Sequence, residues 1–314
     1  MSNLYKKLLP FTIRHTIRSV YYLIRYFPQH FSYFTKYILK KSNKNFEYNL
    51  AIVTQIKNEG QYLKEWIEYH RIVGVDKFIL YDNGSDDNTK EVLQPYIASG
   101  IVDYTILSAS NDKQQYKSHN NGIKNWKNKV KYIGIIDADE YIVPVQHDTI
   151  LHVLDEIESE IKIKKKPFVG LVIKWVMFGF NGHYNKPDGL ITENFTKSDG
   201  IHRLYKTIVN PRMVLYYRTH SGDYLLNRLA VDEYGKDITE TVEASDATIN
   251  KIRINHYWTK SYEELLLKYS KGCPNHEKRS SRIPNYNPAF LSRDDDFIIK
   301  KFIPLLKQQI HKNK

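Results

Sequence analysis

Residues 133–144 read IGIIDADEYIVP. The run Tyr132 to Ile136 is apolar and rich in strand formers, so it reads as a buried strand with Asp137, Asp139 and Glu140 delivered at its end. In an extended segment residues two apart point the same way. Asp137 and Asp139 are therefore expected to converge on one cation while Ala138 faces the protein. Hard oxygen ligands at a strand end suit Mg2+ or Mn2+, which keep positions open for phosphate oxygens. Such an ion would act as a Lewis acid on a departing nucleoside diphosphate. A D-x-D triplet alone is common in solvated loops. The buried strand before it, and the mutual repulsion of three crowded carboxylates, give this copy its weight.

Working outward, strand and helix alternate. Leu50 to Ile56 (LAIVTQI) reads as a buried strand, and Leu63, Trp66, Ile67 and His70 at i, i+3, i+4, i+7 predict a helix over Gln61 to Val73, stopped at Gly74. Lys77 to Tyr81 is the next strand, followed by a helix towards Tyr96 capped by Asp86 or Asp87. Further strands are predicted at Ile101 to Leu107, Phe168 to Phe178 and Lys251 to Asn255, with a helix over Thr149 to Ile163. Ser261 and Glu264 have the spacing of a capping box before the stripe Tyr262, Leu265, Leu266 and Tyr269. This alternation predicts an α/β fold with a mostly parallel sheet flanked by helices. Ligands of such sheets bind at the carboxyl ends of the strands. Between Gly179 and Asp246 short pieces mix with Gly, Pro and Asn, and no elements are assigned there.

A second carboxylate, Asp82, lies past a strand in residues 78–89, FILYDNGSDDNT. Turn and cap chemistry accounts for Asn83 to Asp87 more readily than for Asp82. The pair of motifs, YDNGSDDNT at 81–89 and IDADEY at 136–141, resembles nucleotide-sugar glycosyltransferases of the family 2 and family 92 type. IVTQIKNE at 52–59, EWIEYH at 65–70 and HYWTKS at 256–261 resemble family 92 in particular, with Trp175, Phe178-Gly179, Lys206 and Pro211 as weaker landmarks. The resemblance covers residues 50–272. It implies a GT-A (Rossmann-like) fold and a donor such as a UDP-sugar. By the same resemblance Asp82 would contact the nucleotide, Asp137 the ribose or metal, and Asp139 and His256 the metal. Gln115, Lys117 and Asn120 would line the donor pocket.

Read on its own, His256 is either a Mn2+ ligand or a packed core imidazole. Lys206 and Lys260 are either partners of the diphosphate or solvated surface cations. An inverting transferase needs a base for the acceptor hydroxyl. Glu193, in Thr192-Glu193-Asn194, is the residue chosen, with Asn194 standing where a second acid is often found.

The chain of 314 residues carries 47 basic and 35 acidic residues, a formal charge of +12. Residues 1–46 hold nine of the cations (Lys6, Lys7, Arg14, Arg18, Arg25, Lys36, Lys40, Lys41 and Lys44) and no Asp or Glu. The remainder is near neutral, which argues against a nucleic-acid groove in the main domain. Arg14, Arg18 and Arg25 interrupt any apolar run long enough to span a bilayer. The arm is expected either as a helix on an anionic membrane surface or as a helix packed on the domain with its cations in water. One cysteine, Cys273, excludes an internal disulfide and fits a cytoplasmic setting, peripheral on the inner face of a membrane.

The expected division is a basic arm over 1–46, a GT-A domain over 47–272 and a helical tail over 273–314. The expected function is metal-dependent transfer from a nucleotide-sugar donor to a glycan or lipid-linked acceptor, as in building a surface polysaccharide. A metal-dependent phosphoesterase and a non-catalytic glycan- or membrane-binding relative are the alternatives. Against the first, no H-x-H or D-x-H constellation accompanies the aspartates.

Overall fold

The computed structural model describes residues 45–107, 114–163, 167–225, 228–238, 247–270 and 293–312, with isolated helical positions between 13 and 25 and Pro10. Most of the expected arm, and residues 273–292 of the expected tail, lie outside the described residues. The first half alternates, with every element predicted from the sequence except α3: β1 (Tyr48–Ile56), α1 (Gly60–Ile72), β2 (Lys77–Asp82), α2 (Thr89–Ala98), β3 (Val102–Ile106), α3 (Gln114–Trp126) and β4 (Val130–Ile135). There follow β5 (Glu140–Pro144), α4 (Ile150–Ile163), β6 (Gly170–Phe178), α5 (Ile191–Asn194), β7 (Lys197–Val209), β8 (Val214–Tyr217), β9 (Gly222–Tyr224), β10 (Ile252–His256), α6 (Tyr262–Ser270), β11 (Asp294–Asp295) and α7 (Ile303–Lys312).

The main sheet has the order β3-β2-β1-β4-β7-β6-β10-β5, with β11 against β7. Around β1 every pairing is parallel. Six of the eight strands on this path share one direction, and β5 and β7 run the other way. The chain steps outward from β1 through β2 to β3 and then crosses back to β4 on the other flank of β1. That reversal opens a crevice at the carboxyl ends of β1 and β4. Helices α1 and α4 and the C-terminal Ile299, Phe302 and Leu306 cover one face, in a core with Leu50, Ile52, Phe78 and Tyr132. Helix α3 covers the other, where Ile123 joins Val53, Ile133 and Val209. Its close approach needs Gly122, because a Cβ there would lie 2.8 Å from both methyls of Val53. The C-terminal segment expected as a tail is thus built into the main core through Ile299, Phe302 and Leu306.

Strands β4 and β5 are separated by four residues yet stand at distant places in the sheet order. The sheet curls, so that Ile142 of β5 comes within 3.6 Å of the position a Cβ on Gly134 of β4 would take. Among the described strands β5 has one hydrogen-bonded neighbour, β10. Its outward main-chain groups are buried and need other partners. Helix α1 supplies them: Trp66 Nε1 donates to Glu140 O at 2.8 Å, and Tyr69 Oη donates to Ile142 O at 3.1 Å. The Ile142 N–H donates to His70 Nε2 at 3.2 Å. Because Nε2 accepts, the proton is on Nδ1, which donates to Trp66 O at 2.8 Å. The EWIEYH segment is therefore a clamp on the strand that carries the acidic motif. Its Glu65 caps α5, accepting from Ile191 N at 2.7 Å and from Thr192 N at 3.0 Å, while burial lifts its carboxyl to about 7.

Burial depresses His70 from its ordinary 6.5 to about 3. Between those values the unfolded chain binds the proton and the folded chain does not, so this group's share of stability is present above pH 6.5 and is lost as pH falls towards 3. His70→Ala, which orphans the Ile142 amide and leaves a cavity, should lower unfolding free energy by roughly 2–4 kcal/mol and flatten that acid dependence. Urea titrations at several pH values measure both. A variant with unchanged stability would show that the clamp contributes nothing.

Candidate active site

The loops after β1 and β2 are stitched together at the crevice. Asn58 N donates to Ser85 Oγ at 2.9 Å, Asn58 Nδ2 to Asp86 Oδ1 at 2.6 Å, and Gly60 N to Asp87 Oδ2 at 3.0 Å. A Cβ on Gly60 would sit 2.7 Å from the main-chain N of Thr89, so the close approach of the two loops requires glycine. Asp87 also accepts from Thr89 N at 3.0 Å, so of the two residues expected to cap α2 it is Asp87 that holds the first turn. Asp82, expected to contact a nucleotide, is buried. Oδ1 accepts from Ser85 N and Oγ at 2.8 and 2.7 Å, and Oδ2 from the Tyr104 hydroxyl. Its described bonds pin the loop.

Residues 137–140 form a turn closed by Glu140 N donating to Asp137 O at 3.1 Å, so the alternation expected to aim Asp137 and Asp139 at one ion does not apply. The turn sends the two carboxylates to different partners. Asp137 meets the fully buried Lys206 at 2.8 Å and Gln115 Nε2 at 3.1 Å. Asp139 meets His256 Nε2 at 3.4 Å and the half-exposed Lys268 at 2.7 Å. Burial would raise both carboxyls. Lys206 instead holds Asp137 below the usual carboxylate range, and Lys268 with His256 holds Asp139 well below it.

Glu140, the first residue of β5, lies directly across from His256 in the antiparallel register with β10. It is wholly buried, and burial drives its carboxyl well above the usual range although Lys206 lies 3.7 Å away. Oε2 accepts from Asp137 N at 3.0 Å, while Oε1 has no hydrogen-bond partner. His256 Nδ1 is likewise buried without one. Asp139, Glu140 and His256 are the one group among the described residues whose ligand atoms lie within 4.8 Å of one another. Two carboxylates and an imidazole with two orphaned buried atoms fit a divalent cation. Asp137, expected among the ligands, stands outside this trio, and Glu140 stands inside it. Lys268 carried no sequence signal, since only the docking of α6 brings it to Asp139.

The remaining expected residues are scattered. Gln115 reaches the site through Asp137. Lys117 lies on the exposed face of α3. Asn120 uses its amide on main chain, donating to Tyr116 O and Tyr217 O at 2.7 Å each and accepting from Tyr217 N at 2.9 Å, so it docks α3 to β8. Glu193, chosen as base, is paired with Lys307 of α7 at 2.6 Å, and none of its described contacts joins Asp139 or His256. Lys260 pairs with Glu59 at 3.1 Å. The capping box forms as read, with Ser261 N donating to Glu264 Oε2 at 3.1 Å and Glu264 N donating to Ser261 Oγ at 3.4 Å.

Lys206 is the buried counter-charge of this centre. Lys206→Met should cost about 3–5 kcal/mol of folding stability, because removing one partner strands the Asp137 and Glu140 carboxyls. Guanidinium unfolding checks this, and a loss under about 1 kcal/mol would mean that solvent already screens the pair.

The sequence profile of glycosyltransferase family 92 matches residues 50–289. A family 92 protein of Oryza sativa subsp. japonica is 27% identical over 177 residues, 55% of this chain and 29% of the relative. One from Arabidopsis thaliana is 24% identical over 196 residues, 56% of this chain and 31% of the relative. The chain thus spans under a third of the length of these curated relatives. Among solved structures, Staphylococcus aureus TarS overlaps 71% of this chain and 39% of its own at 14% identity and a TM-score of 0.37. Glucosyl-3-phosphoglycerate synthase of Mycobacterium tuberculosis, in complex with Mn2+, UDP and glucosyl-3-phosphoglycerate, overlaps 46% and 47% at 15% identity and a TM-score of 0.27. The buried strand ending in the acidic turn, the clamp on the strand beyond it and the histidine at the end of β10 all fall within the matched span, and the chain belongs to glycosyltransferase family 92.

Proposed function

We propose that the protein transfers a sugar from a nucleotide-sugar donor, UDP-linked, to a glycan or lipid-linked acceptor hydroxyl, with inversion and with a divalent metal. The observation that carries this reading is the trio Asp139, Glu140 and His256, with ligand atoms within 4.8 Å of one another. It lies where the β4–β5 turn meets the end of β10, beside the crevice at the carboxyl ends of β1 and β4. These three residues would hold Mn2+ or Mg2+, and a bound ion would offset the charge of the departing diphosphate. Lys206 keeps Asp137 ionised at the rim of the site. Lys268, half-exposed, balances Asp139 at 2.7 Å and also donates to Trp258 O at 3.2 Å, a second positive charge beside the place a diphosphate would occupy.

UDP titrations by calorimetry test the assignment. The wild type should bind UDP in Mn2+ and lose at least tenfold in affinity in chelator, and Asp139→Asn should bind as weakly in Mn2+ as the wild type does in chelator. Equal affinities throughout would end the metal reading, and turnover of simple phosphate esters would favour a phosphoesterase.

The basic arm is read as an anchor to an anionic membrane surface on the cytoplasmic side. Ile13, Ile17, Val20, Tyr21 and Ile24 occupy helical positions and are 43–71% exposed, so the domain does not cover them. Among the described residues no helix is long and apolar enough to cross a membrane. An apolar stripe among nine cations suits the lipid interface. Deleting residues 1–46 should abolish sedimentation with phosphatidylserine-containing vesicles, and high salt should weaken it in the intact chain. Unchanged sedimentation of the deletion would return the arm to a solvated role.

A further inference from the structure

The loop after β6 and the start of α6 form one surface. Strands β6 and β10 are parallel neighbours, with His256 opposite Met177, so their outgoing loops leave the same edge of the sheet. The two loops bind each other through main chain: Tyr262 N donates to His183 O and Glu263 N to Tyr184 O, both at 3.0 Å. Thr259 Oγ1 donates to Phe178 O at 3.3 Å, closing the base of the pair. On this support Phe180, Tyr184 and Tyr262 gather, with ring centroids 5.8–6.3 Å apart in tilted or edge-on pairs. Phe180 is buried beneath, Tyr262 is half-buried, and Tyr184 is 60% exposed.

Tyr184 leaves an aromatic face open at the surface, where a ligand ring can lie against it. The rim is polar. The Lys186 main chain donates to Glu263 Oε1 at 2.7 Å, and its ammonium donates to Gln61 Oε1 at 2.7 Å. That ammonium also stands 4.9 Å from the centre of the Tyr62 ring. Aromatic faces inside a ring of fixed hydrogen-bonding groups match a pyranose, which has apolar C–H faces and hydroxyls around its edge. The surface continues into the candidate site: Lys260, on the segment joining His256 to α6, bonds Glu59 at 3.1 Å. It spans from the β6 and β10 loops to the end of the loop after β1, where Glu59, Gln61 and Tyr62 meet Lys260 and Lys186.

We propose that Tyr184 and Tyr262, seated on Phe180, form a subsite that stacks a sugar ring of the acceptor. This rests on the transferase reading and names the substrate class on its acceptor side.

Saturation-transfer NMR on the full-length protein with lactose and with chitobiose, each in UDP and Mn2+, tests it. The wild type should saturate the ring protons of at least one disaccharide. Tyr184→Ala should cut that signal at least fivefold and Tyr184→Phe should retain it, since the ring and not the hydroxyl makes the contact. Tyr262→Ala should act in the same direction, with its urea midpoint compared with the wild type's. No saccharide signal in the wild type, or a signal indifferent to Tyr184→Ala, overturns the proposal. The UDP titration in the same samples separates the two readings. Intact UDP binding with an indifferent saccharide signal sinks the subsite alone, whereas a Tyr184-dependent saccharide signal without UDP binding supports the subsite and removes the transferase reading.

Discussion

An edge strand inside a protein cannot leave its outward amides and carbonyls bare, and β5 depends on that constraint. On one side β10 pairs with it, and on the other Trp66, Tyr69 and His70 bond its main chain at Glu140 and Ile142. These bonds fix where β5 begins, and so where the turn from β4 must end. The register with β10 then sets Glu140 opposite His256. The candidate metal trio is a consequence of satisfying the backbone of one short strand.

The electrostatics follow from the same turn. Three carboxylates in four positions repel, and the turn gives each a different surrounding. Asp137 goes to a buried lysine, Asp139 to an imidazole and a half-exposed lysine, and Glu140 inward, where burial favours its neutral form. A cation entering the trio would displace the proton favoured on Glu140 and compete with Lys268 for Asp139. Lys206 and Lys268 offset the carboxylate charge of this turn, which lowers the cost of keeping such a cluster in a folded chain.

The two sides of the crevice differ in kind. Loops after β1 and β2 are stitched by Asx and serine bonds, with Asp82 held at the base, and the rigidity comes from short polar side chains. Loops after β6 and β10 are joined by main-chain bonds and aromatic contacts, and they present rings to solvent. Small polar groups suit a fixed, charged ligand, and open rings suit a variable, amphipathic one.

From local pattern alone came the alternation of β1, α1, β2, α2, β3 and β4, the capping box at Ser261 and the family resemblance, because periodicity, caps and strand ends are written within a few residues of one another. The pairing of Asp139 with His256 was legible only through that resemblance. Tertiary structure decided the rest. Whether Asp137-Ala138-Asp139 is extended or turned depends on where β5 pairs, and β5 pairs with a strand more than a hundred residues away. The same holds for Lys268, brought in by α6, for Asn120 and Glu193, drawn off to Tyr217 and Lys307, and for the C-terminal helix, placed in the core by Phe302 and Leu306. Contacts across such separations leave no periodic trace in a single sequence, so only the closed sheet could assign them.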